Sequence, residues 1–149
     1  MRQTAIALSL IFLSGCAAGY KASYVTGAVT KEVVTETYSP YSEEFNKKID
    51  ECCSGDVCNP QSSDVITKTQ LDKCMGSKFE SSTHEKIEAA VKLYHEASKA
   101  FTEVMKLVDA SDEQRKAATS ALFESALNML ELIPGGNKQV AKLKKMTGR

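Results

Sequence analysis

Along the second half of the chain, Ile87, Val91, Tyr94, Ser98, Phe101, Met105 and Val108 follow one another in steps of four and three, and Ala90, Leu93, Ala97, Ala100, Val104 and Leu107 form a row beside them. Steps of three and four keep side chains on one face of an α-helix, so the spacing predicts a helix of about seven turns with a broad apolar face. Ser82-Thr83-His84-Glu85 has the Ser-x-x-Glu form of a capping box at its start. Glu88 with Lys92 and Glu96 with Lys99 occupy the opposite, polar face. Such a face normally turns toward a core; a partner-facing helix is the alternative.

A break at Asp109-Ala110-Ser111 is followed by a second capping box, Ser111 to Gln114, with Asp112 and Glu113 in the first turn. Ala118, Ala121, Leu122, Ala126, Met129, Leu130 and Ile133 then mark a second long helix, with Phe123 and Leu127 widening its face, and Pro134-Gly135-Gly136 ends it. The short connection makes the pair an antiparallel hairpin.

Upstream, Phe45, Ile49 and Cys52 share one face of a short helix beginning near Ser42, and Leu71, Cys74, Met75 and Lys78 lie near one face of another from about Lys68 to Phe79. Beyond Cys16 there are four cysteines, Cys52, Cys53, Cys58 and Cys74. An even number in an exported chain reads as two disulfides, of three possible connectivities. Helical spacing favours Cys52 with Cys74, clamping the two short helices, and Cys53 with Cys58, closing a small loop. Zinc is disfavoured because no pair of Cys-x-x-Cys motifs is present, and a redox role is weak for the same reason.

Residues 16–41 are ambiguous by pattern. Tyr24, Val25, Val29, Val33, Val34, Thr35 and Tyr38 have strand propensity, while Ala22, Val25, Val29 and Val33 also fit a helical stripe, and Ser39-Pro40 closes either element. The reading favoured is a flexible or partly ordered tether, with a helix as the alternative. The fold class expected is therefore all-α: a small disulfide-stapled helical bundle around the long hairpin, occupying residues 42–136 behind that tether.

Composition changes the picture mainly at the ends. Residues 137–149 carry Lys138, Lys142, Lys144, Lys145 and Arg149 with no acid, whereas residues 17–136 hold 13 basic and 19 acidic side chains. The basic segment is thus a separate feature. Val140, Leu143 and Met146 share a side, so a marginal short helix is possible within what otherwise reads as a solvated tail. Its sharper reading is a contact with anionic head groups or an acidic partner. The near-neutral whole predicts no nucleic-acid partner.

At the other end, Arg2 precedes an apolar run from Ala5 to Leu13, which is too short to span a bilayer, and the run ends in Leu13-Ser14-Gly15-Cys16. That tetrapeptide resembles the lipobox of bacterial lipoprotein precursors. The resemblance implies a signal peptide over residues 1–15, cleavage before Cys16, a diacylglycerol on the Cys16 thiol and an acyl group on the new amino terminus. Ala17 resembles the sorting context of outer-membrane lipoproteins, which implies a lipid-anchored protein of the cell envelope facing the periplasm, or displayed at the surface. A terminal-lysine link to peptidoglycan is disfavoured by the ending Thr147-Gly148-Arg149.

Candidate chemistry is sparse. His84 and His95 stand eleven positions apart on one predicted helix, about 16 Å, too far to share a metal, though a weak His84 and Glu88 pair is conceivable. No nucleophile elbow, phosphate-binding glycine loop or His-Glu-x-x-His occurs, and tryptophan is absent. The expectation is accordingly a non-catalytic lipoprotein with no cofactor, no metal and no small-molecule substrate, holding an unidentified envelope protein. A secretion, conjugation or pilus accessory fits that plan; a structural or phage-encoded exclusion lipoprotein is the alternative.

Overall fold

The computed structural model describes the backbone of residues 3–54, 58 and 66–148, and side chains over the same stretches from residue 19 onward. Five helices account for its regular structure, with no strand among the described residues: α1 (Gln3–Cys52), α2 (Lys68–Met75), α3 (Ser81–Lys106), α4 (Asp112–Leu132) and α5 (Asn137–Thr147). The all-α, disulfide-stapled bundle around an antiparallel hairpin is what forms. Helix α4 is its centre, packed on α3, α1 and α5. Its Leu122, Ala126, Met129 and Leu130 are fully enclosed.

The largest departure from the sequence reading is α1. No tether separates residues 16–41 from the domain: the helix runs unbroken from Gln3 to Cys52, through Pro40. Proline removes the N–H that would bond the Glu36 carbonyl, at a local cost of about 3 kcal/mol. Packing offsets that cost, because Val33, Val34 and Tyr41 on either side of the proline are buried in the common core, as is Thr30, whose hydroxyl returns to the Thr26 carbonyl at 2.7 Å. Pro40 itself is exposed on the outer face, where its ring meets solvent. The β-branched run was ambiguous because half its residues face the hairpin and half face water, a division that only the tertiary partner defines.

Close approach of α1 to α3 depends on Gly27. A Cβ there would run into the Phe101 ring. Beside it, Lys31 lies over the same ring, 5.4 Å from its centroid, and its Nζ donates to Thr102 Oγ1 at 2.9 Å.

The hairpin forms as spaced, with differences at its edges. Ile87, Ala90, Val91, Tyr94, Phe101 and Met105 are buried, but Leu93 is 60% exposed and Val108 97%. Val108 lies beyond the last residue of α3, in the turn, so the stripe no longer governs where it points. The Ser111 capping box is realised, its hydroxyl accepting from Gln114 N and Gln114 Oε1 accepting from Ser111 N at 2.8 Å. The one expected at Ser82 is not. Helix α3 starts at Ser81 with Glu80 as a cap that makes no side-chain bond. Instead the Asp72 carboxylate, from α2, accepts from the Ser81 N–H at 2.9 Å and from the Ser81 hydroxyl. A cap supplied from a neighbouring helix has no local spacing to betray it.

Helix α2 ends at Met75 rather than Phe79, because Gly76 takes φ 75°. Helix α5 is part of the domain: Leu143 is fully buried and Val140 nearly so, so the core extends past the expected limit at Gly136. Gly135, at φ 85°, makes the reversal from α4 into α5.

Candidate functional site

Two ends of the bundle carry the features singled out in the sequence. The far end is closed by the cysteines. Cys52 bonds Cys74, with Cα atoms 5.9 Å apart, and Cys53 bonds Cys58, at 5.2 Å. The first joins the end of α1 to α2 and the second closes the short loop, the connectivity that helical spacing favoured. Cys52 points inward, 7% exposed.

Beneath the clamp sits an aromatic cluster that the sequence did not reveal. His84 stacks on Phe45 with centroids 3.6 Å apart and planes 5° from parallel, and Phe79 packs edge-on to Phe45 at 5.9 Å. Tyr41 Oη lies 3.3 Å from His84 Nδ1, while His84 Nε2 lies 3.9 Å from Glu88 Oε1. Tyr38 donates to the same carboxylate oxygen at 2.9 Å. Burial, helped by the charge of Glu88, pushes the Tyr41 phenol up to about 12, and burial followed by the Glu88 hydrogen bond raises Tyr38, so both remain protonated donors at neutral pH. His84 and Glu88 thus face one another beyond hydrogen-bond distance at the partly exposed edge of this cluster, and His84 also borders a small hollow with Phe45, Leu71 and Met75. His95 is elsewhere, exposed beside Tyr94. Among the described residues no group of three or more His, Cys, Asp or Glu is placed to hold a metal ion.

The near end carries the stretch that resembles a lipobox, Leu13-Ser14-Gly15-Cys16. The Cys16 side chain lies outside the described residues, but its backbone is in α1, three residues before Gly19. Gly19 abuts the first residue of α4: a Cβ there would be 3.2 Å from Asp112 Oδ1. Arg115, 9% exposed, ties this end together. Its guanidinium lies 5.4 Å from the Tyr20 ring and donates to the Leu107 carbonyl at 3.3 Å, and Nη1 is 3.6 Å from Asp112 Oδ1. The α3–α4 turn is thereby fixed beside Gly19 and Tyr20 of α1.

The basic residues of α5 divide. Lys142 pairs with Glu36 of α1 at 2.9 Å, an exposed bridge. Lys138, Lys144 and Lys145 are exposed, the last two in the final turn with Met146. Arg149 lies outside the described residues. Along the outer face of α1, Lys31, Glu32, Thr35, Glu36, Ser39 and Pro40 border a shallow concavity. A second one shares Glu36 and Pro40 and reaches Tyr41, Lys78 and Pro134. The apolar face of the hairpin is packed against α1, and further shallow concavities lie between α1 and α5, at Val25 and Met146, and between α1, α2 and α3, at Ile49, Leu71 and His84.

No helix among the described residues is long and apolar enough to cross a membrane. No protein family, curated protein or solved structure matches the chain.

Proposed function

We propose that the chain is the precursor of a lipid-anchored, non-catalytic envelope protein that holds a protein partner at the membrane surface. The observation that carries the reading is Leu13-Ser14-Gly15-Cys16, placed at the end of the apolar run. Acylation of Cys16 would hold it firmly, since each buried methylene contributes about 0.8 kcal/mol and two or three chains are available. The concavities around Pro40 would offer the partner surface: the first, bordered by Lys31, Glu32 and Glu36 beside the exposed proline, is lined mainly by apolar atoms, and the second adds Tyr41 and Lys78 in a more polar setting. In this reading the protein is an accessory of a larger envelope assembly such as a secretion, conjugation or pilus machine.

The test is intact mass of the protein from native membranes, with cross-linking from a photoreactive residue at Ser39. A chain starting at acylated Cys16, cross-linked to one envelope protein, supports the reading. An unacylated chain overturns it.

The second reading, a structural or exclusion lipoprotein of the cell surface, is favoured by the approach of Gly19, three residues after Cys16, to Asp112 of the domain. A domain with so little spacer stays at the bilayer and does not reach into the periplasm. Protease accessibility in intact cells separates the two.

A further inference from the structure

Resting on the lipid-anchor reading, we infer that the near end of the bundle is a second membrane contact: the Leu107-Val108 turn enters the bilayer interface beside acylated Cys16, so that the domain stands on the membrane in one fixed orientation.

Eight large apolar side chains are exposed among the described residues, and six of them, Tyr20, Tyr24, Val25, Leu107, Val108 and Met146, gather at this end; the other two, Leu93 and Leu132, stand apart. On α1, Tyr20, Tyr24 and Val25 lie within nine residues of Cys16, about 14 Å of helix. On α5, Met146 borders the groove that also contains Lys21 and Val25. The turn is brought to the same level by Arg115, which joins the Leu107 carbonyl to the Tyr20 ring, and by the contact of Gly19 with Asp112. Exposed apolar groups collected at one end call for a cover, and the covering phase here is set by the anchor.

The chemistry matches a lipid surface. Val108, 97% exposed at the tip of a turn, and Leu107, 52% exposed, are the groups that would reach the acyl boundary. Tyr20 and Tyr24, ring centroids 6.3 Å apart, are roughly 6 and 12 Å along α1 from Cys16. That is the depth of the head-group zone, where tyrosine is enriched because its ring is apolar and its hydroxyl wet. Lys21, Lys106, Lys144 and Lys145 are exposed around this end, against Asp109 and Glu113, so the rim favours anionic head groups.

The absence of tryptophan makes the test direct. Val108→Trp and Leu93→Trp are each made in the full chain, and the processed, acylated proteins are placed in phosphatidylethanolamine and phosphatidylglycerol vesicles with brominated acyl chains. Both positions are exposed, so neither change disturbs the core, and Leu93 lies roughly 20 Å farther up the bundle. The inference expects Trp emission from position 108 to shift to the blue and to be quenched at least threefold more than that from position 93. Equal quenching, or none at 108 in a chain whose mass includes the acyl groups, overturns it while leaving the anchor intact. A chain without acyl groups overturns the anchor reading and the docking built on it.

Discussion

Gly27 of α1 lies directly against the ring of Phe101 on α3, leaving no room for even one added carbon. The contact joins residues 74 positions apart, and it exists only because α1 is packed along the hairpin. Gly27→Ala should therefore lose stability despite alanine's better helix propensity: overpacking costs about 1–3 kcal/mol, against a gain of up to about 1 kcal/mol from replacing glycine. Urea unfolding of the domain measures it. A stabilised variant would mean that α1 does not pack on α3 at Gly27.

Removing the Cys52–Cys74 bridge, by replacing both cysteines with alanine, tests the clamp. The bridge spans 22 positions, for which loop-closure entropy gives about 3 kcal/mol. The Cys53–Cys58 bridge spans 5 and should contribute less, about 2 kcal/mol. Thermal unfolding should rank the two variants in that order, and membrane fractionation should be unchanged in both, since Cys16 is untouched. Cys16→Ser should do the reverse, releasing the protein while leaving its unfolding transition in place.

Asp72 makes the fold sensitive to acid. Its carboxyl is held below the ordinary carboxylate range by the hydrogen bonds from Ser81, side chain first and backbone second. A group with a lowered folded-state value contributes stability that is full above its unfolded value, near 3.9, and is lost as pH falls through the folded one. Asp72→Asn should be less stable than the wild type at pH 7, and the gap should narrow below about pH 4. Equal gaps at pH 7 and pH 3 would show that charge at the α3 cap is irrelevant.

These contacts mark what the sequence could and could not disclose. Periodicity located α3 and α4, and helical facing selected Cys52 with Cys74, because both signals are local. The helical state of residues 19–41 was hidden because Pro40 mimics a stop and the β-branched residues suit either state until a partner surface buries Val33 and Val34. The Asp72 cap, the stack of His84 on Phe45 and the hold of Arg115 on the α3–α4 turn all join residues through the fold, so no spacing announced them. Composition led the eye to the lysines at residues 138–145, whereas the apolar residues between them decide where α5 sits.

Leu143 decides how much of that basic segment is structure. Its side chain is fully buried, yet it is flanked by Lys142, Lys144 and Lys145, and a solvated tail would leave all four equally dispensable. Leu143→Ala should cost about 2–5 kcal/mol, the range for emptying a buried leucine site. Lys142→Gln removes only the exposed bridge to Glu36 and should change stability by less than about 1 kcal/mol. Lys144→Gln with Lys145→Gln should leave unfolding unchanged and weaken adsorption to anionic vesicles, an effect that added salt should abolish in the wild type as well. The pattern of one apolar position controlling folding and two neighbouring cations controlling adsorption, read by chemical denaturation and vesicle co-sedimentation on the same variants, is what an amphipathic α5 seated on α1 requires. If Leu143→Ala unfolds no more easily than Lys142→Gln, α5 does not belong to the core.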